Sequence, residues 1–175
     1  MTSDPLREAL QTRLFPGGIP RLWCPTLTHF SAAQQPDAAR IQAHLTSLSP
    51  HVKGILVPGS TGEGWEMNDA DIRDLLTLVT DLAINLEMKV LIGVLKTTTG
   101  ETIQSMQAMQ SFLDHPTVVG FTVCPPKGSE LSQQAIHDGL AAVLETGSPV
   151  ALYQLPQVTQ NEMSPETVAS LASKF

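Results

Sequence analysis

The sequence predicts an α/β fold built on a parallel sheet, and three observations carry that reading. From Arg21 onward, short apolar runs alternate with helical patterns. The runs show little polar alternation, as expected of strands covered on both faces. Each run is followed by one amphipathic stretch, so the order is β-then-α five times over, which calls for parallel strands and right-handed crossovers.

Candidate strands occupy 22–24, 54–57, 90–93, 118–123 and 149–153. The first intervening helix shows Ile41, Leu45 and Leu48 on one face. The second carries Ile72, Leu75, Leu76, Val79 and Leu82 at helical spacing, with Asn68 placed to cap its first turn. The third uses Ile103, Met106 and Leu113. The fourth uses Ile136, Leu140, Val143 and Leu144 and stops at Gly147, which suits the C′ position. The fifth opens Ser164-Pro165-Glu166, a capping residue followed by proline at the first helical position. These stripes read as core.

At 175 residues and 42% apolar content the chain can bury a sizeable core. The expected division is an N-terminal extension over 1–20 and one domain over 21–175. Seventeen acidic against ten basic side chains, a net charge of −7, argue against nucleic acid or an anionic membrane as partner. The longest apolar stretches have strand length, far short of a membrane span. The start, Met1 to Gln11, is polar and lacks the apolar core of a signal peptide. Cys24 and Cys124 are too few for a disulfide scaffold, and no C-x-x-C or His-rich spacing suggests a metal, so a reduced, cytoplasmic protein is expected. His29, His44, His51, His115 and His137 are scattered, with no two at ligand spacing, and each is expected at the surface or in a loop.

Periodicity does not separate a doubly wound sheet from a closed barrel. No G-x-G-x-x-G follows the first strand, which weakens a dinucleotide-binding reading. The informative motif follows the second strand: Gly59-Ser60-Thr61-Gly62-Glu63. Glycines allow positive φ and close backbone approach, so N–H groups and two hydroxyls can converge on one anion. Alone, such a string is only a turn. Its place after a buried strand, with the chain's single tyrosine, Tyr153, ending the fifth strand, points to substrate binding. Glu63 reads as a structural acceptor for neighbouring backbone.

From Leu22 to Phe175 the chain resembles the dihydrodipicolinate synthase/N-acetylneuraminate lyase family, the pyruvate-dependent class I aldolases. Gly59 to Glu63 matches the family's strand-two turn. Thr99-Gly100-Glu101-Thr102-Ile103 is similar to its T-x-E-A-I helix start, and Tyr153-Gln154-Leu155-Pro156 resembles its Y-N-x-P. Cys24-Pro25-Thr26-Leu27 resembles the threonine-proline-aromatic opening, out of order. The resemblance implies a (β/α)8 TIM barrel, incomplete here at about five β/α units, because a whole barrel takes roughly 250 residues. A fragment of a longer gene product is the expected explanation.

The implied chemistry is a lyase working through a Schiff base. A lysine amine condenses with the keto group of a pyruvate-like 2-keto acid, and the iminium acts as an electron sink. Carried over, Gly59, Ser60, Thr61 and Gly62 bind the carboxylate. Tyr153 moves a proton, with Thr61 in hydrogen-bond reach. No cofactor or metal is called for, and the full-length form is expected to be a homo-oligomer. Three departures matter. Where the family carries T-P-Y-Y, this chain has Cys124-Pro125-Pro126-Lys127, so the tyrosine that completes the synthases' proton relay across a subunit interface is replaced by Lys127. Val158 stands where the synthases place an arginine for a second carboxylate, which favours another 2-keto-acid substrate. The Schiff-base lysine belongs to a sixth strand beyond Phe175. Lys96 and Lys127 lie on the wrong strands and Lys174 at the wrong face, so the chain is expected to be inactive alone. The alternatives are a non-catalytic 2-keto-acid binder and a self-associating half-barrel.

Overall fold

The computed structural model describes residues 5–175; the first four residues of the segment read as an extension lie outside the described residues. Five strands form one parallel sheet in sequential order: β1 (Trp23–Pro25), β2 (Gly54–Val57), β3 (Lys89–Val94), β4 (Val118–Val123) and β5 (Val150–Leu152). Sequential order with parallel pairing is the pattern of a barrel wall and excludes the reversal of a doubly wound sheet. The crossover helices are α2 (Ala38–Leu48), α3 (Asp69–Asn85), α4 (Thr99–Ala108) and α5 (Gln133–Leu144). Helix α1 (Pro5–Leu14) precedes the sheet, and α6 (Pro156–Thr159) and α7 (Pro165–Lys174) follow it.

Alternation along the strands sorts their side chains between two faces. Ile55, Val57, Val90, Ile92, Val94, Phe121 and Val123 join Ile41, Leu45, Ile72, Leu75, Leu76, Ile136 and Leu140 in one core between sheet and helices. Leu56, Gly93, Thr122, Cys124 and Ala151 alternate with them and look the other way, toward the barrel side. Gly93 is required there: a Cβ would run into the Pro58 carbonyl oxygen. β4 takes up an extra residue opposite Val90 and Leu91, and Gly120 (φ +145°) sits at the step.

The expected caps form. The Asn68 side chain accepts from Ala70 and Asp71 N–H, and Ser164 accepts from Thr167 N–H with Pro165 as first helical residue. Thr98 and Glu101 close a capping box at the head of α4. Two expectations shift. Leu113 is not part of the third crossover helix, which ends at Ala108; it lies in a 3-10 turn (Gln110–Asp114) that tightens the exit into β4. Gly147 adopts φ +75°, but α5 caps at Glu145, so the glycine falls one residue beyond C′. The polar N-terminal stretch gave no helix signal, yet α1 forms without burying any residue. Arg7 Nη2 donates to Ala172 O at 2.6 Å, and Phe15 meets the Trp23 ring edge-on at 6.2 Å. Trp23 in turn covers Gly54, where a Cβ would meet its ring at 2.5 Å.

Candidate active site

The turn after β2 is tighter than its glycines suggest. Ser60–Gly62 make one 3-10 turn, with Gly62 and Gly64 N–H both donating to Gly59 O at 3.0 and 3.1 Å. Positive φ falls on Glu63 (φ 63°), not on Gly59 (φ −85°). The glycines serve close approach instead. A Cβ on Gly62 would meet Thr26 O at 2.5 Å, and one on Gly59 would meet Pro25 Cβ at 2.6 Å. Thr28 Oγ1 donates to Gly62 O at 2.7 Å, which pins the turn to the segment after β1. The first N–H groups of such a turn have no partner inside it, which leaves those of Ser60 and Thr61 available to an acceptor from outside.

Register places Tyr153 on the same rim. Val57 pairs with Ile92, Val94 with Val123, and Val123 with Leu152. Leu95, Cys124 and Tyr153 each follow the last paired residue at the C-terminal ends of β3, β4 and β5, the same end of the sheet at which the 59–62 turn follows β2. Tyr153 N–H donates to Val123 O at 2.8 Å, and its ring is half-buried. Three strand spacings, about 4.8 Å each along the sheet, separate it from the turn. The structure does not bring Thr61 and Tyr153 into contact: Thr61 Oγ1 donates to Pro25 O at 3.4 Å. Ser60 Oγ instead accepts from Trp65 Nε1 at 3.1 Å, a contact the sequence reading did not anticipate.

The lysines divide clearly. Lys96 Nζ lies 3.3 Å from Asp69 Oδ1 and donates to Met67 O at 3.2 Å, while Ser105 Oγ donates to the same Asp69 oxygen at 2.6 Å. This amine is committed to joining β3, α3 and α4. Lys127 is exposed, with its backbone N–H on Thr97 O at 2.8 Å. Lys174 pairs with Glu145 at 3.2 Å on the outer surface. The Glu63 side chain is exposed; the backbone bonds at this point go to its carbonyl oxygen, from Glu66 and Met67 N–H. Cys124, at rim level, is buried, and burial pushes its thiol up to about 12, which keeps it protonated and inert.

His29 lies in a loop, as expected, whereas His44 is half-buried on α2. His29 and His44 pack ring against ring, 5.1 Å between centroids and 75° between planes, with both Nε2 atoms buried and unpartnered. They lie before and within α2, so only the fold brings them together.

A parallel wall in sequential order, with a pinned turn at the mouth of its second strand and a phenol at the mouth of its fifth, is the pattern of the (β/α)-barrel class. The particular family follows from comparison. The Dihydrodipicolinate synthetase family matches residues 21–174, and the chain belongs to that family. It is 34% identical over 142 residues to 4-hydroxy-tetrahydrodipicolinate synthase of Stenotrophomonas maltophilia strain R551-3, covering 81% of this chain and 46% of that protein. It is 28% identical over 165 residues to a probable mitochondrial 4-hydroxy-2-oxoglutarate aldolase of Emericella nidulans, covering 89% and 52%. Among solved structures, it resembles a prophage protein of the dihydrodipicolinic acid synthase family from E. coli K12, solved in complex with pyruvate. That match has a TM-score of 0.75 and 26% identity, covering 87% of this chain and 50% of the other. A 2-keto 3-deoxygluconate aldolase from Picrophilus torridus gives a TM-score of 0.75 at 25% identity, covering 87% and 54%. The chain thus spans about half the length of the relatives it matches, and the sheet is an incomplete TIM-barrel wall of a lyase family. No helix among the described residues is long and apolar enough to cross a membrane.

Proposed function

We propose that this chain carries the 2-keto-acid cradle of a Schiff-base aldolase or lyase. The supporting observation is the common rim position of the 59–62 turn and Tyr153. The carboxylate of a pyruvate-like acid is held by the Ser60 hydroxyl and by the backbone N–H groups of Ser60 and Thr61, the Thr61 hydroxyl being turned to Pro25 O. Tyr153 passes a proton to or from the substrate oxygen. The electron sink needs a lysine amine, which attacks the keto carbon and expels water to leave an iminium. That lysine is expected on a sixth strand beyond Phe175, and Lys96, bound to Asp69, does not replace it. Alone, the chain binds weakly and does not turn over. Val158, where the synthases carry arginine, points to a substrate partner without a second carboxylate at that position. The two free cysteines fit a reduced cytoplasm.

Pyruvate should raise the chain's thermal midpoint saturably, and borohydride should then trap no adduct on it. Absence of any shift would remove the cradle. A reduced pyruvate adduct on Lys96 or Lys127 would overturn the assignment of the lysine. The loss of the family's tyrosine at Lys127 favours a second reading, a binding protein without turnover. Borohydride trapping on a chain extended by a lysine-bearing sixth strand separates the two: a trapped adduct supports the lyase, and none supports the binder.

A further inference from the structure

Trp65 follows the cradle and has no place in the chemistry so far. The backbone is shaped to bring it back. Glu63, in the left-handed region at φ 63°, reverses the chain. Gly64 then lies so close to the turn that a Cβ would meet Gly59 O at 3.0 Å, Leu95 at 3.1 Å and Pro58 at 3.2 Å. With Gly64 N–H held on Gly59 O, the next residue folds against Ser60, and its indole Nε1 reaches Ser60 Oγ at 3.1 Å. The side chains of Ser60 and Trp65 are both half-buried.

We propose that Trp65 is a positioning residue that fixes the Ser60 hydroxyl as a hydrogen-bond donor to the bound carboxylate; this rests on the cradle reading above. A serine hydroxyl has one proton and two acceptor lone pairs, whereas an indole N–H only donates. With Trp65 on one lone pair, the Ser60 proton cannot point back at the ring. No described residue accepts that proton, so it is left for the ligand. A hydroxyl that accepts one hydrogen bond is also a stronger donor in the next. The indole cannot take up a proton either, so a proton at Ser60 has no onward route through Trp65. Ser60 is therefore a fixed donor, suited to an anion, and not the middle of a relay.

The chain has two tryptophans, so its ¹H–¹⁵N spectrum contains two indole cross-peaks, and Trp65→Phe identifies one of them. Ser60→Ala should move the Trp65 indole proton upfield, as its acceptor is lost, and pyruvate should move the same peak saturably. An unmoved indole peak in Ser60→Ala would overturn the proposal even if Trp65→Phe failed to fold. Trp65→Phe should weaken pyruvate binding about 3- to 10-fold, the span of one net hydrogen bond. In a Ser60→Ala background it should weaken binding no further, because the effect travels through that hydroxyl. A merely structural tryptophan would give additive losses, and additivity overturns the proposal while the cradle stands. If the unaltered chain binds no pyruvate at all, the cradle reading itself fails.

Discussion

His44 packs its ring against His29 with its Nε2 buried and unpartnered, and this imidazole resists protonation. His44's pKa lies below its ordinary 6.5, first because burial disfavours the imidazolium and second because a charge on His29 would repel it. The unfolded chain therefore takes up a proton near pH 6.5 that the folded chain refuses. Stability is full above that pH and falls as pH drops through 6.5 toward the folded value. Glu101 and Glu166 also shift downward, below their ordinary 4.5, but because their charged forms are favoured: Glu101 through hydrogen bonds from the Thr98 and then the Thr97 hydroxyl, Glu166 through its own backbone N–H and then Ser164. Their contribution is lost only at lower pH. Between pH 7.5 and 5.5, the thermal midpoint should fall more steeply for the natural chain than for His44→Gln, with the curves parallel above pH 7. Parallel curves across the whole range would remove the pair as the cause. Nothing at residue scale in the sequence gave this away, because spacing tests for ligand pairs look along the chain and these two meet across a turn.

At the scale of elements, the Lys96–Asp69–Ser105 cluster does what no single strand or helix signal describes. Asp69 opens α3, Lys96 ends β3's run into the loop, and Ser105 lies on α4, so one carboxylate joins three elements just beneath the rim. Lys96→Met should destabilise the chain by about 1 kcal/mol, because it removes an ion pair whose carboxylate is still 34% exposed and leaves Asp69 with the Ser105 hydroxyl as partner. Adding Asp69→Asn should recover part of that loss in urea unfolding; a fully additive double variant would mean that the two side chains act independently. The elements themselves were legible. Continuous apolar runs at 54–57 and 118–123 coincide with β2 and β4, and Asn68 and Ser164 cap where their side-chain chemistry says they should. What could not be read was set by contacts between elements. Helix α1 buries no residue and so carries no amphipathic signal, and the end of α4 yields to the 3-10 turn that aims the chain into β4. The candidate site divides in the same way. Its residue types were readable in a local motif, but the reversal at Glu63 and the Trp65–Ser60 bond depend on close packing against Pro58 and Leu95.

At the scale of the molecule, the sheet has two unclosed edges. Among the described residues, β5 pairs only with β4, and all three of its residues are half-exposed; β1 pairs only with β2, beside Leu22 at 60% and Leu27 at 50% exposure. Tyr153 N–H points inward to Val123, so by alternation the N–H and C=O groups of Val150 and Leu152 point outward from the edge. On the barrel side, the hydroxyl of Thr122 is buried without a partner. Unpaired strand edges recruit further strands, and a polypeptide of these 175 residues prepared alone should therefore self-associate. The association should depend on concentration and be only weakly affected by salt, since backbone pairing and apolar contact, not ion pairs, drive it. Ala151→Lys tests the mechanism. The site is half-exposed on the open side of the edge strand, so a single chain tolerates the lysine while a second copy laid against β5 would have to bury it. Sedimentation velocity across a hundredfold range of concentration should show the natural chain shifting toward larger species and Ala151→Lys remaining a folded monomer. A natural chain that stays monomeric and cooperatively folded throughout would mean that the edges are closed within one copy, and the half-barrel could then not be a self-assembling unit.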